Sequence, residues 1–205
     1  SGLYKVSNSV FEFFKLSAAN ESLSEENTAL KNEIIHLQNE LAALKPETKR
    51  DSLNFKIPPE MEYELISAKV INNSTHKLQN YITLNKGARD GIHPDMGVVS
   101  EEGVVGIIKT VSEKFSVVIP VLNQNIKINS KFKKNNYSGP LVWNGKDYRF
   151  ANLTDIARHV EFSLGDTLIT SGFTSTFPEG IPVGVINDFN IKESDPYYNL
   201  TPINI

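Results

Sequence analysis

Leu16, Leu23, Leu30, Leu37 and Leu44 recur at intervals of seven without a miss. Four residues after each of the first four come Asn20, Asn27, Ile34 and Leu41, and Phe13 extends this second series upstream. The pattern is a heptad with leucine at d and Phe, Asn, Asn, Ile and Leu at a. A straight helix drifts off a strict 3.5-residue repeat, so heptads held in phase specify helices wound around each other. The alternative is a long amphipathic helix packed on the chain's own remaining domain. Asparagine at a costs stability and is best accommodated where two facing side chains bond each other, which selects a parallel, in-register dimer. Glu26 and Glu40 at g reach Lys31 and Lys45 at e of a parallel partner. Exposed pairs of this kind contribute under about 1 kcal/mol, so they set orientation more than stability. The expected coil spans residues 13–44 and is about 48 Å long at 1.5 Å per residue.

The texture of the chain changes after this segment. Residues 1–57 hold one glycine, Gly2, and one proline, Pro46, whereas the remainder holds the other eleven glycines and nine prolines. Both residue types are costly inside helices and useful in turns, so the second part reads as short strands joined by turns. Pro46 ends the helix, and the polar stretch before Pro58-Pro59 reads as a hinge or extended spacer. Candidate strands fall at 63–71, 79–84, 97–99, 104–111, 116–122, 126–129, 139–143, 148–152, 167–170 and 182–191, many of them rich in β-branched residues. Asn85-Lys86-Gly87, Asp90-Gly91, Asn144-Gly145 and Pro178-Glu179-Gly180 supply turns, the third of them as a hairpin loop. About ten short strands suggest one sandwich or two small barrels.

Composition removes several function classes. The 205 residues contain no cysteine, which excludes disulfides, thiolate zinc sites and cysteine nucleophiles. The net charge of −3 argues against a dedicated nucleic-acid binder. A zipper transcription factor needs a basic helix running into the coil. Residues 1–15 instead offer Lys5 and Lys15 around Val10-Phe11-Glu12-Phe13-Phe14, an apolar cluster suited to the coil seam or to a site just outside a membrane anchor. No apolar run is long enough to span a bilayer, and Ser1-Gly2 reads as a cloning remnant, with any native anchor expected upstream.

Chemistry-bearing constellations are sparse. His36, His76, His93 and His159 are scattered, without ligand spacing on a shared element, so no metal site is expected. Two β-barrels also describe a chymotrypsin-like serine hydrolase, with His93, Asp155 and Ser171 in the right order. Ser171, however, lies in a strand-end turn, Thr170-Ser171-Gly172, without the flanking residues of that family. Lys127, Lys131, Lys133, Lys134, Tyr137, Trp143, Tyr148 and Arg149 interleave charge and aromatics in the manner of single-strand binders. A solvated loop followed by core aromatics explains them better.

The run Gly165-Asp166-Thr167-Leu168-Ile169-Thr170-Ser171-Gly172-Phe173, followed by Phe177-Pro178-Glu179-Gly180-Ile181-Pro182-Val183-Gly184-Val185-Ile186, resembles the signature of the MreC family of rod shape-determining proteins. Asn80-Tyr81-Ile82-Thr83-Leu84-Asn85-Lys86-Gly87, Glu102-Gly103-Val104-Val105-Gly106-Ile107-Ile108 and Phe115-Ser116-Val117-Val118 extend the likeness, so it covers nearly the whole chain. The resemblance implies a mainly β fold: a coiled-coil helix and linker (1–57), a first small β-barrel (58–122) and a second (123–205). It implies a non-enzymatic scaffold of the cell-wall elongation machinery that maintains rod shape, on the extracytoplasmic face of the bacterial inner membrane, with a single anchoring helix upstream. The implied partners are a second copy as a parallel dimer, the elongation-specific penicillin-binding transpeptidase, MreD, RodA and the MreB system. No cofactor is implied. Gly172 and Gly180 read as turn punctuation. Gly103, Gly106 and Gly184 read as strand positions that mark bulges, corners or close backbone approach. The chain stops at Ile205, where one more barrel-closing strand is expected.

Overall fold

The computed structural model describes residues 2–44, 63–157, 159–190 and 197–203. The expected linker at 45–57, with Pro46 and Pro58-Pro59, lies outside them. The chain forms two compact units. The first contains helix α1, Gly2–Leu44, and, among the described residues, the short segment 63–67. That segment lies along the helix. The Asn32 side chain donates to the Leu65 carbonyl at 3.0 Å and accepts from the Leu65 amide at 2.8 Å, and the Ser24 and Ser67 hydroxyls are 2.9 Å apart. A side-chain amide bonded twice to one residue mimics a strand partner and satisfies both polar groups of an otherwise irregular backbone. Ile35 is 8% exposed on the same face.

In the second unit, five antiparallel strands form a sheet in the order β1-β2-β5-β4-β3. They are β1 Val70–Asn73, β2 Ile82–Leu84, β3 Gly97–Val99, β4 Val104–Val111 and β5 Ser116–Pro120. Burial alternates along β4 and β5, as a sheet with one covered face requires. Ile82, Leu84, Ile108 and Val118 turn inward. The expected first barrel is an open sheet. Among the described residues, β1 pairs only with β2, and β3 only with β4. Both strands are short, and Thr176 and Phe177 of a loop of the next element lie close over Gly97 on one face of β3.

Six further strands close into a barrel in the order β10-β11-β8-β7-β6-β9. They are β6 Ile128–Phe132, β7 Ser138–Val142, β8 Asn152–Ala157, β9 Thr167–Thr170, β10 Pro182–Asn190 and β11 Tyr197–Ile203. β11 is the closing strand that the sequence reading expected beyond Ile205; it lies within the chain. β8 lies later than the expected strand at 148–152. Asp147 and Arg149 tie themselves together through the Arg149 amide and guanidinium, which holds residues 147–149 in a turn. One apolar core runs from Val104 and Val121 of the sheet region through Phe132, Leu141, Leu153, Leu168 and Ile186 of the barrel.

The passage from sheet to barrel is pinned by two fully buried asparagines. Asn80 donates to the carbonyls of Lys77 and Leu122, both at 2.7 Å, and accepts from the Lys77 amide at 3.0 Å. Asn123 donates to the Asn80 carbonyl at 2.7 Å and accepts from the Asn125 amide at 3.0 Å. Because every polar atom of both side chains finds a partner, their burial costs little and fixes the path of residues 121–126.

Candidate interaction surfaces

The heptad positions that the structure describes form one stripe along α1. Leu16, Leu23, Leu30, Ile34, Leu37 and Leu41 are each between 48% and 71% exposed. Asn20 is exposed within the stripe, and the exposed Asn27 donates back to the Leu23 carbonyl at 3.1 Å. The side chains of Phe13 and Leu44 lie outside the described residues. A contiguous line of large apolar side chains facing water marks an interaction surface. The opposite face of the helix is already used: Asn32 at f bonds Leu65 of the return segment, and Ile35 at b is buried. Sequence reasoning missed this second face. The signal was an isoleucine at b, where a solvent-facing residue is the rule.

The signature residues converge on a different task. The Thr170 hydroxyl donates to the Pro178 carbonyl and accepts from the Ile181 amide at 3.0 Å, while the Thr170 amide and carbonyl bond to Ile181 and Gly180. One threonine therefore clasps the whole Phe177–Pro178–Glu179–Gly180 turn. Gly172 follows with φ of +72°, and a Cβ there would press on Glu179 at 3.0 Å, so only glycine lets the chain turn under the clasp. Glu179 in turn pairs with the nearly buried Lys131 of β6 at 2.9 Å. Asp166 bonds the Lys134 ammonium and the Ser163 amide, which steadies the turn before β9. In that turn, the Gly165 amide donates to the Ile186 carbonyl at 2.7 Å.

The same residues join sheet to barrel. Phe177 is 5% exposed, and its ring lies where a Cβ on Gly97 of β3 would stand, 2.4 Å away. A Cβ on Gly103 would sit 2.3 Å from the Pro182 carbonyl oxygen, and one on Gly106 2.2 Å from that of Ile119. Gly184 pairs with Leu168 beside an irregularity in the β9–β10 register. Gly103, Gly106, Thr170, Gly172, Phe177, Pro178 and Pro182 thus act as joints.

The residues of the hydrolase alternative are not assembled. Ser171 is buried, and its hydroxyl accepts from the Phe173 amide at 3.4 Å. His93 meets the Met96 sulfur through its amide, and Asp155 meets its neighbour Thr154. No hydrogen bond joins the three among the described residues. The basic and aromatic stretch is likewise accounted for locally. Lys131 and Lys134 are paired with carboxylates, and Arg149 clasps Asp147, whose carboxyl it holds at about 2. Trp143 is buried and donates to the Asp147 carbonyl, whereas Tyr148 is 65% exposed and Tyr137 meets His159 edge to face. Among the described residues no cluster of His, Asp and Glu is arranged to hold a metal, and no helix is long and apolar enough to cross a membrane.

Comparison with known proteins matches residues 70–203 to the family model "Rod shape-determining protein MreC, barrel core". A curated relative, cell shape-determining protein MreC of Listeria monocytogenes, is 29% identical over 150 residues, covering 71% of this chain and 51% of the relative. The chain thus spans about half the length of that curated relative. The solved Listeria MreC structure superposes with a TM-score of 0.63 at 22% identity, covering 88% of this chain and 84% of the other. The MreC of a solved complex with penicillin-binding protein PBP2, from Helicobacter pylori, superposes with a TM-score of 0.51 at 17% identity, covering 64% of this chain and 79% of that one.

Proposed function

The chain belongs to the rod shape-determining protein MreC family, and from that membership we propose that it is a non-enzymatic scaffold of the machinery that elongates the cell wall. One observation carries the reading. The chain keeps a long apolar stripe open on α1 while the opposite face of the helix holds its own return segment. The stripe, Leu16 through Leu41 with Phe13 and Leu44 at its ends, pairs with a second copy in parallel, with Asn20 and Asn27 facing their counterparts. The β region, divided near residue 123 into sheet and barrel, is the part that meets the elongation-specific penicillin-binding transpeptidase. A complex with PBP2 named for a structural neighbour supports that assignment. MreD, RodA and the MreB system follow from the family. An extracytoplasmic position at the inner membrane, held by an anchor upstream of this chain, follows in the same way. Such an anchor raises the effective concentration of two helices and offsets the weakness that seam asparagines introduce.

Titration with the soluble part of the transpeptidase tests the assignment. The full chain and a piece beginning at Pro59 bind, and the isolated helix does not. Binding by the helix alone overturns it. The shorter piece is presented as a fused dimer, because loss of dimerisation alone lowers apparent affinity. A fluorophosphonate probe tests the hydrolase alternative, and no adduct at Ser171 is expected.

A further inference from the structure

The segment 63–67 runs along α1 against the direction of the helix: Leu65 meets Asn32, and Ser67 meets Ser24, nearer the helix N-terminus. Ser24, Thr28, Asn32, Ile35 and Asn39 fall on one side of a 3.6-residue helix. Among the described side chains of α1, Ile35 is the only buried one, and Thr28, Asn32 and Asn39 are half-buried. Tyr63, Leu65, Ile66 and Ser67 are half-buried in turn. Asparagine is a weak helix former, and at a heptad f position Asn32 has no part in the seam. Its amide bonds both polar groups of Leu65 instead.

The contact is specific but light. Residues 63–67 belong to no strand, and the bonds of Leu65 and Ser67 come from helix side chains rather than a backbone ladder. The Ser24–Ser67 pair is exposed. Each such bond adds little net stability, because water replaces it on release, whereas ordering the segment costs conformational entropy at every residue. Docked and released forms therefore lie close in free energy. The other flank is firm. The Lys69 amide donates to the Asn85 side chain at 2.7 Å, and the Lys69 carbonyl accepts from the Asn85 amide at 3.0 Å. Ala68 alone separates the docked segment from that anchor. Once the segment leaves the helix, residues 45–68 separate α1 from the anchor, a length of chain that spans at most about 85 Å. We infer that residues 63–67 are a releasable strap that sets how far the β region reaches from α1. Docked, it ties the chain entering β1 to the helix at Ser24 and Asn32; released, it lengthens the tether without unfolding either unit. Asn32 and Ile35 lie at f and b, away from a and d, so the strap works whether or not the seam is paired.

The test locks the strap in the full chain. The chain has no cysteine, and the Ser24 and Ser67 hydroxyls are 2.9 Å apart, so Ser24→Cys with Ser67→Cys places one reversible disulfide across the contact. Hydrogen exchange reads the opening, and small-angle X-ray scattering reads the reach. In the wild type the Leu65 amide exchanges more slowly than an unstructured amide and faster than the amides of β4 and β5, because the strap opens by itself. Oxidation of the double-cysteine variant slows Leu65 at least about tenfold and leaves β4 and β5 unchanged, and a reductant restores the original rate. Asn32→Ala, which favours the helix and removes both bonds to Leu65, gives a larger maximum dimension than the locked chain at the same concentration. Three results overturn the inference: a wild-type Leu65 amide that exchanges at the rate of β4 and β5, a Leu65 rate that the disulfide leaves unaltered, or equal dimensions for the locked chain and Asn32→Ala.

Discussion

Thr170 carries more of the signature than its neighbour Ser171. Its hydroxyl serves two backbone groups of the Pro178–Ile181 stretch, so Thr170→Val leaves both without their partner and should cost about 1–3 kcal/mol. Ser171→Ala removes one long bond and should change stability by under about 1 kcal/mol, with partner binding intact. Urea denaturation of both variants checks the contrast. Gly103→Ala places a methyl against the Pro182 carbonyl, and Gly106→Ala places one against that of Ile119. Each should cost about 1–3 kcal/mol or more, since backbone cannot yield as a flexible side chain does. The turn and strand glycines were legible as punctuation in the sequence. What each glycine makes room for was not, because Pro182 and Phe177 arrive from a strand and a turn far along the chain. Acid sensitivity also belongs at this scale. Arg149 holds Asp147 at about 2, the Gly87 amide lowers Asp90, and Lys134 with the Ser163 amide lowers Asp166 against the upward push of burial. A carboxyl depressed by folding adds stability above its unfolded pKa and loses it as pH falls through the folded value. Urea midpoints should therefore be level above about pH 5 and fall from about pH 4 toward 2. The double variant Asp147→Asn, Asp166→Asn should flatten that fall.

At the level of elements, the helix has two faces with separate tasks. Leu30→Asp with Leu37→Asp should abolish association and leave the β region folded, as read by sedimentation equilibrium and circular dichroism. Asn20→Leu with Asn27→Leu should tighten association while relaxing register and admitting higher oligomers. Asn32→Ala should act on neither. It should instead release the Leu65 amide to fast hydrogen exchange, because that amide loses its acceptor on α1. The period of seven made the exposed apolar stripe readable without any structure. The return segment was not readable, because residues 63–67 have no repeat and meet the helix through side-chain amides rather than a pattern. Strands showed the same divide. β3, β4 and β9 match their expected bounds because turns with glycine bracket β-branched runs. β11 was missed because Pro202 demotes its run. Pro202 lies beyond Leu200, the last β11 residue registered against β8, and within the ladder that β11 makes with β10.

Across the whole molecule, an exposed apolar stripe on α1 and a β region built around one continuous core are the two features that the proposed scaffold would use. Of the two small barrels expected, the second is closed and the first is an open sheet. The strands carry the alternation of a barrel wall, yet they form an open sheet, with Phe177 and Pro182 of the second element packed against Gly97 and Gly103 of the first. The central claim is that α1 joins two chains and the β region carries the transpeptidase. Sedimentation velocity of the chain mixed with the soluble transpeptidase reads both halves in one mass. The wild type should give a complex of two chains with two transpeptidases, and Leu30→Asp with Leu37→Asp a complex of one with one. An unmixed chain that stays monomeric well above micromolar concentration, or a mixture in which no complex forms, would contradict the account.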